Sequence, residues 1–272
     1  MKTGMGLMQD IDGAEVPSGG AAFWWIGQMG YIVKCGGKIL YFDPYLTPKP
    51  TRTVPPLLEP AQAAHADWVF ITHNHSDHLD PVAVQGIAAA SARTRFVAPR
   101  TCGKRLEDLG VGTDRVVFLD AGETFAEGQL RVDAIAAQHE FFDIDPVLGH
   151  PYLGYVVECG GIRILHCGDT LKWDGMEAAL ARFVIDLAFV PINGRDAERL
   201  ARGCKGNMTY QESVDLFGAL KPRLAVPGHY EMFKDNSQDP APFGRYMDIK
   251  FPSIPYWIGP HGEMVRLSEA IT

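Results

Sequence analysis

The stretch Phe70-Ile-Thr-His73-Asn-His75-Ser-Asp77-His78-Leu-Asp80-Pro81 gathers three imidazoles and two carboxylates within eight residues. Extended backbone points alternate side chains to one side, so His73 and His75 can meet one ion. Asp77 and His78 are neighbours, and a turn must precede them if both are to reach a second ion. A borderline cation such as zinc takes imidazole nitrogen at ~2.0–2.1 Å and carboxylate oxygen at ~2.0–2.2 Å. Four such groups directly after an apolar run read as metal ligands rather than as a solvated loop capping the next helix.

Two ions need more than four ligands. His139 in Ala136-Ala-Gln-His-Glu, Asp169 in Leu165-His-Cys-Gly-Asp-Thr and His229 in Leu224-Ala-Val-Pro-Gly-His-Tyr each close an apolar, strand-like run, as the first cluster does. The chain offers no G-x-S-x-G elbow and no supported Cys–His pair, so a nucleophile drawn from metal-activated water is the chemistry that fits.

Strands must deliver these groups. Apolar or alternating runs bounded by Gly, Pro or Asp predict strands over 22–26, 31–35, 38–42, 68–72, 95–98, 116–119, 130–136, 154–158, 163–166, 187–191, 224–226 and 264–267. Gly36-Gly37 and Gly160-Gly161 supply the positive φ that tight hairpin turns require. Helices are predicted over 81–91, 103–109, 175–183 and 209–220, the last with a capping box formed by Thr209 and Glu212. The proline-rich stretch 46–63 reads as a surface loop. Two strand-rich halves, each opened by a Gly-Gly hairpin and closed by helices, imply an α/β fold: an αββα sandwich of two mixed β-sheets with helices on the outer faces. Trp24 and Trp25, adjacent on one strand, should face opposite sides and both lie in cores.

Composition narrows the class. Of 272 residues 46% are hydrophobic and 21% charged, which excludes disorder. With 25 Lys and Arg against 33 Asp and Glu, the formal charge is −8; no basic stripe invites nucleic acid. No run of 18 apolar residues predicts a membrane span. Residues 1–20 lack the apolar core of a secretory signal and read as a flexible Gly-rich segment, leaving 21–272 as a single metallo-hydrolase domain. The five cysteines are an odd number without a C-x-x-C pair, which fits reduced, buried thiols in the cytoplasm. Self-association is left open.

The order His-x-His-x-Asp-His, lone His, Gly-Asp and final His resembles the metallo-β-lactamase superfamily, over roughly residues 21 to 265. That resemblance implies one ion held by His73, His75 and His139, a second by Asp77, His78 and His229, and Asp169 bridging them together with a water or hydroxide. Zn²⁺ or Mn²⁺ are the implied cofactors. Secondary motifs (Trp24-Trp25-Ile-Gly-Gln-Met-Gly-Tyr, Pro99-Arg-Thr-Cys-Gly, Gly206-Asn-Met-Thr and Met232-Phe-Lys-Asp-Asn-Ser-Gln-Asp-Pro) resemble the L-ascorbate-6-phosphate lactonase-like branch. The Gly228-His229-Tyr230 motif departs from the paired histidines expected in the lactonase itself.

The expected activity is hydrolysis of a small anionic lactone or ester, such as a sugar-phosphate lactone, with Asp77 orienting the attacking water and accepting a proton. A phosphodiesterase is the alternative on the same two-ion site, and an iron-dependent oxidoreductase a more distant one. Asn193 and Arg195, directly after the strand at 187–191, are expected to bind substrate, and Arg195, Arg199, Arg202 and Lys205 put four positive charges in eleven residues. A guanidinium fork suits a phosphate. His166 is expected to support the ligands from behind. His150 follows an aromatic, acidic loop, Phe141-Phe-Asp-Ile-Asp145, placed to line a pocket.

Overall fold

A computed structural model describes residues 1–267. Thirteen strands in this part of the chain form two sheets. The first sheet is built from β1 (Ala21–Gly27), β2 (Gly30–Cys35), β3 (Lys38–Phe42), β4 (Trp68–Phe70), β5 (Arg95–Pro99), β6 (Val116–Leu119) and β13 (Val265–Leu267), in the order β13-β1-β2-β3-β4-β5-β6. The second comprises β7 (Thr124–Glu127), β8 (Leu130–Ala136), β9 (Leu153–Cys159), β10 (Ile162–His166), β11 (Leu187–Pro191) and β12 (Leu224–Gly228), in the order β12-β11-β10-β9-β8-β7. Both sheets are mixed. Strands β3 to β6 run parallel, as do β10 to β12, whereas the remaining pairs are antiparallel.

The period of two along β1 builds the layers. Phe23 and Trp25 enter the core between the sheets, with Tyr155, Ile164 and Phe189 of the second sheet. Ala22, Trp24 and Ile26 enter the outer core under α1 (Gly4–Gly13), α2 (Pro81–Ala90) and α3 (Gly103–Asp108). On the far side α4 (Met176–Leu180), α6 (Tyr210–Leu220) and α7 (Ala241–Lys250) cover the second sheet, with Val214, Phe217, Phe243 and Met247 buried. The short α5 (Ala197–Ala201) and α7 carry no clear periodic signal in the sequence, and α4 is shorter than expected.

The N-terminal segment is not the loose tail its glycines suggest. Residues 4–13 form α1, whose Leu7, Met8 and Ile11 are buried. Lys34 on β2 donates to the carbonyls of Ile11 (2.9 Å) and Asp12 (2.7 Å) at the C-terminus of α1, and Trp24 Nε1 donates to Asp10 (2.9 Å). Apolar spacing i, i+4 between Leu7 and Ile11 outweighs the glycines at positions 4, 6 and 13 that flank them. Within 46–63, residues from Pro60 onward form a 3-10 turn that runs to His65.

Both Gly-Gly turns form, with φ of 54° and 73° at Gly36 and Gly37 and 59° and 84° at Gly160 and Gly161. They meet at one pole of the sandwich: a Cβ on Gly160 would stand 2.4 Å from Gly36 Cα. The metal-ligating candidates lie at the other pole, beyond the ends of β4, β8, β10 and β12.

Candidate metal centre

After β4 the chain turns as the adjacency of Asp77 and His78 demands: the His78 and Leu79 amides donate to the His75 carbonyl (3.1 and 2.8 Å). Asp80 ends the turn as N-cap of α2, accepting from Val82 N (3.1 Å) with Pro81 in the first turn. It also accepts from Leu46 N and Thr47 N, both at 2.7 Å, which pins the loop after β3. Helix capping is thus the work of Asp80 and leaves the four preceding polar groups free.

All seven sequence-predicted ligands converge. Ligand atoms of His73, His75 and His139 lie within 4.8 Å of one another, as do those of Asp77, His78 and His229, and those of His73, His78 and Asp169. Asp169 stands between the two histidine sets. Its carboxylate is 3.1 Å from His229 Nε2, 3.3 Å from His78 Nε2 and 3.7 Å from His139 Nε2. Gly168 delivers it: at φ 59°, a Cβ there would meet Thr72 at 2.7 Å.

The groups behind the ligands set their tautomers. Asp43, directly beyond β3, is fully buried and accepts from Thr72 N (2.9 Å), Thr72 Oγ1 (2.7 Å), His78 Nδ1 (2.8 Å) and His166 Nε2 (3.0 Å). Thr72 Oγ1 donates to Asp43 and so accepts from His73 Nδ1 (3.0 Å). His139 Nδ1 donates to the Gly206 carbonyl (3.0 Å). With Nδ1–H held in this way, Nε2 presents its lone pair to the cavity. His166 stands behind the cluster, bound to Asp43.

Ionisation follows from burial and charge. Burial, helped by His78, pushes His73 well below the ordinary histidine range, and burial brings His139 down to about 4. These imidazoles are neutral donors at neutral pH. His78 is displaced the other way: burial opposes its charge, yet the carboxylates of Asp169, Asp43 and Asp77 raise it well above normal. His229 is raised chiefly by Asp169 against the same opposition. Asp169 and Asp43 resist burial and stay far below the usual carboxylate range because the imidazoles hold their charge. Three carboxylates facing one buried imidazole make a site that calls for positive charge.

The donor set fits divalent ions. His73 Nε2 is buried without a hydrogen-bond partner, and His78 Nε2 and Asp169 Oδ1 face only each other at 3.3 Å; buried polar atoms are rarely left so unless something else satisfies them. Imidazole and carboxylate in this ratio suit zinc, manganese or iron.

Two residues important to the site were not anticipated. Asp43 is one, although it follows an apolar strand as the ligands do. The other is Gln28, in the turn between β1 and β2 at φ 56°, whose Nε2 lies 2.7 Å from Asp77 Oδ2 and 3.0 Å from His229 Nε2. It orients Asp77 from outside the ligand motif.

The cluster opens into a cavity of about 250 Å³ walled by His75, Ser76, Asp77, His139, Asp169 and His229 together with Cys204, Lys205 and Asn236. A larger, shallower cavity of about 730 Å³ lies between the Gly-Gly turns and contains none of the ligands. Neither Arg195 nor Asn193 reaches the metal cavity. Arg195 is held by both oxygens of Glu212 (2.7 and 2.9 Å), the capping-box residue of α6. Asn193 is buried behind Asn236, donating to its Oδ1 (2.8 Å) and accepting from Asn207 (3.1 Å). Arg199 is tied to Asp196 (2.6 Å), the Asn193 carbonyl (2.7 Å) and Asn236 (3.0 Å). Of the four clustered cations, Lys205 is the one that lines the cavity. His150 is bound to Asp120 through its amide (2.9 Å) and its ring (2.7 Å).

Fold and site together define the class: a two-sheet sandwich with adjoining imidazole–carboxylate pockets at one sheet edge. Residues 39–230 match the beta-lactamase superfamily domain, and the chain belongs to the metallo-β-lactamase superfamily. It is 26% identical to a UPF0173 metal-dependent hydrolase of Thermococcus kodakarensis over 83% of this chain and 91% of the relative. A UPF0173 metal-dependent hydrolase of Cupriavidus metallidurans is 30% identical, covering 76% of this chain and 72% of its own. A metallo hydrolase of Ignicoccus hospitalis shares the fold at a TM-score of 0.73 and 20% identity, over 91% of this chain and 98% of that one. No helix among the described residues is long and apolar enough to cross a membrane.

Proposed function

We propose that this chain is a metal-dependent hydrolase that opens a small anionic ester or lactone at the paired pockets. The observation that carries this reading is the convergence of seven ligand groups on a cavity, with buried lone pairs left unpartnered. His73, His75 and His139 would hold one divalent ion, Asp77, His78 and His229 the other, with Asp169 between them; Zn²⁺ and Mn²⁺ are the cofactors the reading favours. Bound there, such ions supply Lewis acidity and lower the pKa of water toward ~7.

The protein's own groups do the rest. Asp77 faces the cavity, fixed through Oδ2 by Gln28, and its remaining lone pairs accept the proton of the attacking water. Lys205 is held by Asp143 and the Tyr152 hydroxyl, both at 2.8 Å, and stays charged because these partners outweigh its burial. It anchors the anionic end of the substrate. A sugar-phosphate lactone, as in the branch the secondary motifs resemble, would have its phosphate at Lys205, since Lys205 lines the cavity and Arg195 does not.

The test is metal content of the purified chain, followed by a panel of lactones, carboxylic esters and phosphodiesters with metal restored. Carboxylate release with about two ions per chain is expected. His75→Ala should weaken metal binding by at least about 100-fold, the upper range for losing a supporting group, and abolish turnover with the fold intact by circular dichroism. Turnover of phosphodiesters alone would replace the ester reading, and full activity in His75→Ala would refute the metal mechanism.

A further inference from the structure

The loop that leaves the cluster at His139 returns to it at Tyr152, whose ring lies 5.3 Å from those of His73 and His139 and 5.9 Å from that of His75. Both stems therefore rest on the metal centre. Between them Phe141, Phe142, Ile144, Val147 and Leu148 are 58%, 42%, 55%, 85% and 41% exposed. These are five of the eleven large apolar side chains exposed among the described residues, and the other six are scattered along the chain. Scattered apolar residues need no explanation, whereas five exposed within residues 141–148 of one loop point to a site of interaction.

The loop is held in place with these side chains outward. Gly206 N donates to Glu140 (2.9 Å), and Lys205 to Asp143 (2.8 Å). At the tip Asp145 Oδ1 accepts from the amides of Val147 and Leu148, both at 2.8 Å, and Asp145 and Gly149 exchange backbone bonds of 2.9 and 3.0 Å. Phe142 packs edge-on against Trp173 with ring centroids 5.5 Å apart. These bonds hold the loop with most of its apolar groups turned outward.

We propose that this loop seats an apolar arm of the substrate, which makes the substrate an ester or lactone carrying a medium-chain acyl group. The proposal rests on the hydrolase reading above and adds its substrate class. A cavity of about 250 Å³ holds little beyond the reacting carbonyl and the anionic end. Anything longer must leave by the mouth, where Lys205 and Asp143 join the cavity to the loop. A protein partner seated on both stems would cover that mouth, so the occupant compatible with turnover is the substrate itself.

The experiment uses the metal-loaded full chain with p-nitrophenyl esters from acetate to octanoate, beside calorimetric titration with the matching free carboxylates. A fully buried methylene is worth about fourfold and a half-covered one about twofold, so kcat/KM should rise on the order of 50-fold from acetate to octanoate. Ile144→Ser/Val147→Ser, at two strongly exposed positions, should flatten that slope. Carboxylate binding that strengthens with chain length and weakens in the variant, without turnover of any ester, would keep the loop assignment and sink the hydrolase reading. Turnover with no chain-length dependence, or with the same dependence in the variant, would overturn the loop assignment and leave the hydrolase. Dimerisation in sedimentation, or capture by phosphatidylcholine vesicles, that disappears in the variant would also overturn it.

Discussion

Asp43→Asn perturbs the metal centre without replacing a ligand. Asp43 has φ 38°, a left-handed value that Asn adopts readily, so backbone strain does not enter. Its Oδ2 accepts from Thr72 Oγ1, His78 Nδ1 and His166 Nε2, and its Oδ1 from Thr72 N. An amide in either orientation turns an N–H toward at least one donor, and the charge that holds the His78 ring is gone. Removing one partner of a buried charged pair costs about 3–5 kcal/mol of folding stability. Losing the group that orients a ligand costs 10–100-fold in metal affinity, or about 1.4–2.8 kcal/mol. Urea unfolding of the metal-free protein reads the first quantity, and competition with a chromophoric chelator reads the second. Unchanged metal affinity, with stability inside the ~0.5 kcal/mol of an uninvolved surface change, would refute the role given to Asp43.

Two further outcomes follow from the packing. Ile11→Ala, which empties the buried face of α1, should lower stability by about 2–4 kcal/mol in urea denaturation; no change would mean that α1 is not docked. Cys102 is raised to about 12 by burial, and Cys35 and Cys167 are raised as well, so these thiols stay protonated and shielded at pH 8. Cys204 is the half-exposed cysteine, so a thiol-reactive dye on the native protein should label it first and the remaining four only in denaturant; rapid labelling of several would contradict the buried assignments.

The ligand set was legible because each group stands directly past an apolar run, and strand ends put such residues at one edge whatever the details of the sheet. The same rule covers Asp43, which follows Phe42, but nothing adjacent to it in sequence marks it as the acceptor for His78 and His166. Gln28 is harder still: its contact with Asp77 spans a hairpin turn and a crossover between strands. Arg195 illustrates the converse. Its charge is visible locally, while the partner that occupies it, Glu212, lies on another element where sequence marks it for capping α6. Helix α1 was hidden because glycines at positions 4, 6 and 13 mask three buried apolar residues whose value appears only when Trp24 and Lys34 are beside them.

The ligands come from both sheets: His73, His75, Asp77 and His78 follow β4 of the first, and His139, Asp169 and His229 follow strands of the second. Cations seated there would act as a latch across the sandwich, adding about 2.7 kcal/mol at a hundredfold excess over the dissociation constant. The opposite pole is joined by the close backbone approach of Gly36 and Gly160 and by the hydrogen bond from Cys159 Sγ to the Cys35 carbonyl (3.4 Å). Removing such cations would therefore loosen the sandwich at the very edge where it empties the reaction chamber, while the shared core and the far pole stay joined.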